Sequence, residues 1–165
     1  MIKLIGAVMI CAACTYLGIR KRALLKGRSV SLNDAVTALG YLETEMSFCA
    51  NDLKRAFLNI DKSTNTKGLF KDAADRLEEY GIKKAWTYAV LKNDMPLADA
   101  DRELLLMLCT KLGMTDLKNQ LKHIGYIKEL LSAQAQNAEN EYRRLGKIYG
   151  SGGLLTGIFI ILVII

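Results

Sequence analysis

The sequence predicts an all-α protein: a compact bundle of about six helices, the last one long, between an N-terminal and a C-terminal transmembrane helix. Three observations predict it. Apolar residues recur at threes and fours through most of the middle of the chain. The composition is rich in Leu, Ala, Lys and Glu with a single Pro, which favours helices over strands. Apolar stretches occupy both ends, Ile2–Ile19 and Ile148–Ile165.

The first stretch, 2–19, carries only Lys3, close enough to its end to reach lipid headgroups; the second, 148–165, carries no charge. Each is 18 residues, roughly 27 Å as a helix against a hydrocarbon core of ~30 Å. Arg20, Lys21, Arg22, Lys26 and Arg28 follow the first, and Arg143, Arg144 and Lys147 precede the second. The positive-inside rule then assigns an integral cell-membrane protein whose domain, residues 29–145, is cytoplasmic. Ala13–Cys14 weakly resembles a lipoprotein cleavage site, but positive charge directly behind an apolar segment resists export, so an uncleaved anchor is expected.

Between the spans, Ser31-Leu-Asn-Asp34 reads as a capping box opening a helix with the stripe Leu32, Ala35, Val36, Leu39, Leu42 and Met46. Asn51–Asp52 can cap a short second helix with the stripe Leu53, Ala56, Phe57 and Ile60. After a polar loop at 61–67, Leu69, Ala73, Leu77 and Tyr80 mark a third helix ended by Gly81. Ala85, Trp86, Ala89 and Val90 mark a fourth, stopped by the turn at Asn93–Pro96. Leu104, Leu105, Leu108 and Leu112 mark a fifth, with Gly113 as its C-terminal signal. From Thr115 a sixth runs for more than thirty residues through Leu117, Ile124, Ile127, Leu131 and Tyr149, delivering the chain to the second span. Gly150–Gly153 either bends that helix or lets it pack closely against another span.

The net charge of +6 would point to nucleic acid were it not so unevenly placed. All 17 acidic residues lie between Asp34 and Glu141, an interval that holds 14 of the 23 basic ones. The middle is therefore mildly acidic, and the basic excess flanks the apolar stretches, where it favours an anionic lipid bilayer over a nucleic acid.

Catalytic chemistry is hard to assemble from these residues. No phosphate-binding glycine loop ending in Lys-Ser/Thr is present. The single His, His123, has no sequence-marked partner, and Cys11-x-x-Cys14 lacks a second pair inside an apolar helix. Glu78–Glu79 and Asp99/Asp101/Glu103 read as solvated surface, and Trp86 as a core anchor. No catalytic residue, cofactor or metal is expected, and the protein is read as not an enzyme. Glu43 is the exception among the charges: it falls inside the apolar stripe of its helix, while Glu45 lies off it. A carboxylate there needs backbone N–H donors near Asn51, a Lys or Arg, or a partner protein.

Several stretches together resemble the stage III sporulation protein AB family of endospore-forming bacteria. They are Leu39-Gly-Tyr-Leu42-Glu43-Thr-Glu45-Met, Leu69-Phe70, Lys84-Ala85-Trp86, Leu112-Gly113-Met-Thr-Asp116 with Gln120, and the approach of Leu145–Ile165 to the terminal span. The sequence departs from the pattern at Asn51-Asp52-Leu53, where Pro is usual, and in the glycines of 150–153. The resemblance implies a subunit of the transenvelope secretion complex between mother cell and forespore, in the mother-cell membrane. It further implies a helical domain similar to the F-type platform domain of type II secretion and pilus machines, which couples a cytoplasmic ATPase to membrane components. Partners would be that cognate ATPase and the complex's other membrane subunits, with Leu42, Trp86, Gly113, Asp116 and Gln120 as structural motif positions; Glu43, Glu45 and the exposed side of the long helix are the candidate contacts. Homo-oligomerisation is compatible with all of this. The rival reading is a membrane-tethered helical adaptor or regulator unrelated to secretion.

Overall fold

Five α-helices make up the computed structural model of the chain: α1 (Ile2–Phe48), α2 (Leu53–Ser63), α3 (Leu69–Lys92), α4 (Asp99–Leu108) and α5 (Leu117–Ile164). The backbone is described for residues 2–48, 52–113 and 116–164, and the side chains for these except 2–5, 7, 8, 10, 11, 48 and 150–164. No strand occurs among the described residues. The chain is all-α, with five helices rather than six. The third and fourth expected helices are one element because the break between them is a single residue, Gly81 (φ 72°, ψ 164°). Helical hydrogen bonding resumes immediately on either side of it.

Ser31 does not start a helix, contrary to the capping-box reading. It is buried within α1, and nothing in Arg20–Arg28 interrupts helical backbone. Likewise α5 runs through 150–153 without a break. Among the described residues no helix is long and apolar enough to cross a membrane. All of 150–165, and nearly half of the 2–19 stretch, fall outside the described side chains. The second expected span therefore lies almost wholly outside the described side chains, and Cys49, Asn51 and Thr115 lie outside the described residues.

The chain forms two compact units, residues 1–29 with 136–165, and residues 30–135. In the first, α1 and α5 run antiparallel. Arg28 pairs with Glu141 (3.4 Å) and the Ser29 hydroxyl donates to Glu139 (2.7 Å). Gly146 is buried beside the Tyr142 ring and the Arg22 stem, where a β-carbon would come within 3.0 Å of the ring.

The second unit buries one face of every helix. Leu32, Leu39, Leu42 and Met46 come from α1; Phe57 and Ile60 from α2; Phe70, Trp86 and Val90 from α3; Leu105 and Leu108 from α4; Ile124, Ile127 and Leu131 from α5. At its centre Phe57, Phe70 and Trp86 contact one another with ring centroids 5.2–5.6 Å apart. Such tilted and edge-on pairs contribute about 0.5–1.5 kcal/mol beyond their buried area.

Helix ends are satisfied from other elements. An α-helix leaves its last four carbonyls without intrahelical donors. At the end of α4, the Trp86 indole N–H donates to the Leu105 carbonyl (2.6 Å) and the Cys109 thiol to Leu106 (3.1 Å). The Met107 carbonyl accepts from the Thr110 hydroxyl (2.8 Å) and from His123 Nε2 (3.0 Å). At the end of α3, the Arg102 guanidinium donates to the carbonyls of Val90 (2.8 Å), Asn93 (3.2 Å) and Met95 (3.0 Å). A cation there also opposes the negative end of the helix dipole. Asp101 is not solvated surface: it is fully buried, and its carboxylate accepts from the Ala98 N–H (2.9 Å) at the start of α4.

Two expectations follow. Trp86→Phe keeps a ring in the cluster but leaves the Leu105 carbonyl without its donor, so stability should fall by about 2–3 kcal/mol, read from denaturant unfolding of the purified full-length chain. In the first unit, Arg143 foremost and then Ser29 hold the Glu139 carboxyl below its usual range. A lowered carboxyl favours the folded state above its unfolded value near 4.5 and loses that contribution as pH falls through the folded value. Amide-exchange protection of residues 136–146 should therefore drop on acidification below about 4.5, and Glu139→Gln should flatten that dependence.

Candidate functional site

The sequence places two carboxylates, Glu43 and Glu45, on one short stretch of α1, and the structure sends them to different neighbours. Glu43 forms an ion pair with Lys128 of α5, each side chain about a third exposed. It lies opposite Gly125, where an added β-carbon would sit 3.9 Å from its Oε1. Glu45 instead faces α2, accepting from Asn59 Nδ2 at 3.5 Å. Two residues along a helix turn the side-chain direction by about 200°, which is why one stretch serves two grooves. Glu43 meets its need for a partner with the Lys128 ammonium while its side chain stays about a third exposed.

The remaining motif positions lie in two places. Leu42 and Trp86 are buried in the core. Gly113, Asp116 and Gln120 build the turn from α4 into α5. Gly113 takes φ +72°, a left-handed conformation costing about 1–2 kcal/mol for other residues. Its N–H donates to the Gln120 side-chain oxygen (2.9 Å). Asp116 precedes α5 and accepts from the Asn119 backbone N–H (3.3 Å) and side-chain amide (2.6 Å). His123, one turn further on, anchors to the Met107 carbonyl (3.0 Å) and so fixes α5 against the end of α4.

Chemical reactivity in this unit is subdued. Burial pushes the Cys109 thiol up, disfavouring a thiolate. Among the described residues no group of His, Cys, Asp and Glu could hold a metal ion. A feature outside the sequence expectations is a groove of about 400 Å³ on α3, lined by Arg76, Tyr80, Lys84 and Tyr88. The four-residue repeat of cation and tyrosine is visible in the sequence. Only the bend at Gly81 makes it concave.

The comparisons agree with this picture. The family model for stage III sporulation protein AB matches residues 3–165. The chain is 29% identical to stage III sporulation protein AB of Bacillus subtilis (strain 168) over 170 residues, 99% of each chain. A solved structure of stage III sporulation protein AB superposes with a TM-score of 0.65 at 26% identity, covering 70% of this chain and 96% of its own.

The turn into α5 yields a testable expectation. Gly113→Ala should lower stability by about 1–2 kcal/mol through backbone strain, and Gln120→Ala by about 1 kcal/mol through the lost hydrogen bond. Because both act on one turn, the double variant should cost less than the sum, measured by urea unfolding of all three variants.

Proposed function

Because the chain belongs to the stage III sporulation protein AB family, we propose that it is a non-enzymatic membrane platform subunit of the complex joining mother cell and forespore. In this role its helical unit faces the mother-cell cytoplasm and couples an ATPase to the complex's other membrane subunits. One observation carries the reading. The two helices that hold the apolar stretches also supply the core of the 30–135 unit, through Leu32, Leu39 and Leu42 on α1 and Ile124, Ile127 and Leu131 on α5.

Insertion of 2–19 and 148–165 rests on their length and apolar character, and the cytoplasmic orientation on the basic residues flanking each on its inner side. Tethering at two points keeps the unit at the inner leaflet, as a docking platform requires; a membrane-tethered adaptor unrelated to secretion would share that tether and differ in its partners. No nucleotide-binding motif appears in the sequence, so ATP hydrolysis would reach this chain through a partner. Glu43 is the favoured contact for that partner. Its side chain stays about a third exposed, and its ion pair contributes at most about 1 kcal/mol to folding.

A charge swap separates partner contact from folding. Glu43→Lys with Lys128→Glu restores the pair with reversed polarity, so unfolding should shift by less than about 1 kcal/mol. Recovery of the ATPase with the tagged full-length chain from sporulating membranes should nevertheless fall at least tenfold. Normal recovery by the swapped chain would remove Glu43 from the contact. Failure of the native chain to recover any ATPase while retaining other complex members would overturn the platform reading.

A further inference from the structure

A straight helix has a convex surface, and the spacing of Arg76, Tyr80, Lys84 and Tyr88 would place them along a single ridge of one. Gly81 changes this. At φ +72°, ψ 164° it interrupts helical geometry between Tyr80 and Ile82, and the four side chains enclose a groove of about 400 Å³. An added β-carbon at Gly81 would meet nothing within 4 Å. The glycine is therefore required by backbone conformation and not by crowding.

The groove is furnished for an anion. The Arg76 guanidinium lies 4.1 Å over the Tyr88 ring and donates to the Asp72 carbonyl at 3.3 Å, which fixes its plane. Lys92 approaches the same ring from 5.2 Å and donates to the Tyr88 hydroxyl at 2.8 Å. That hydrogen bond, with the nearby positive charges, lowers the phenol below its ordinary value. No hydrogen bond or ion pair engages the exposed Lys84 among the described residues. Tyr80 is half exposed, and its hydroxyl is held by the Glu79 carboxylate. Arg76 and Lys84 thus line the groove together with the two tyrosines, and Lys92 lies against the Tyr88 ring. Leu91, 64% exposed one turn beyond Tyr88, extends the apolar surface.

We propose that this groove docks an acidic segment of a partner protein, seating a carboxylate between Arg76 and Lys84 and an adjacent apolar side chain on the Tyr80 and Tyr88 rings. Arg offers a planar fork that matches a carboxylate, and an exposed tyrosine offers contact area at low entropic cost. An anionic bilayer or a nucleic acid fits less well. Asp72 and Glu79 lie on the same side of the helix as Arg76, before the bend, and an extended negative surface would meet both. A single carboxylate in the groove would not. The inference stands on the groove's geometry and does not require the platform reading.

The test uses the full-length chain in nanodiscs of neutral lipid and two synthetic peptides, Glu-Phe-Glu-Glu-Phe-Glu and its Gln counterpart. Binding is followed by NMR of ring-labelled tyrosines. The acidic peptide should perturb Tyr80 and Tyr88, bind at least tenfold more tightly than the Gln peptide, and weaken as salt rises. Arg76→Glu with Lys84→Glu should abolish binding. Lys83→Glu, outside the groove, and the milder Lys84→Gln should respectively leave it unchanged and reduce it several-fold. Equal binding of the two peptides, or undiminished binding by the double variant, overturns the proposal. So does groove-dependent binding of phosphatidylglycerol vesicles where the acidic peptide fails.

Discussion

The indole N–H of Trp86 on the carbonyl of Leu105 is the contact on which the helix arrangement depends. α4 is only ten residues long, so its end carbonyls are a large share of its backbone groups. Buried and unsatisfied, each would cost about 1–3 kcal/mol. The donors come from the following turn (Cys109 and Thr110), from α3 (Trp86) and from α5 (His123). Arg102 does the same service in reverse, from α4 to the end of α3. The helices are locked at their ends by one another's side chains, while the Phe57–Phe70–Trp86 cluster fills the space between them.

This interlocking explains what could and could not be read from the chain. Local signals carried well. The α1 stripe of Leu32, Leu39, Leu42 and Met46 is core, and the left-handed glycines at 81 and 113 mark a bend and a turn. Asp52 caps α2 through the Arg55 N–H. What failed depended on which helix end abuts which residue. Asp101 looks like surface beside Asp99 and Glu103, yet it is buried because it caps α4. Ser31 resembles a cap, but the helical backbone of α1 runs unbroken through it. His123 offers no local clue that Met107 lies within reach of its ring. The Glu43–Lys128 pair joins residues 85 positions apart, and the stripe could show only that some partner was required.

The same structure bears on function by what it leaves unoccupied. Glu43 stays about a third exposed beside Lys128, and the bent face of α3 gathers Arg76 and Lys84 around two tyrosines. The apolar stretches at 2–19 and 148–165 belong to the two helices that also supply the core.

Tethering by both apolar stretches, with the helical unit on the cytoplasmic side, is the central claim. The most direct measurement places a single cysteine in the loop between α2 and α3, by Asn65→Cys in a chain whose other cysteines are replaced, and exposes sporulating cells to a membrane-impermeant maleimide. Labelling only after the mother-cell membrane is permeabilised is the result the account predicts. Labelling in intact cells would contradict it.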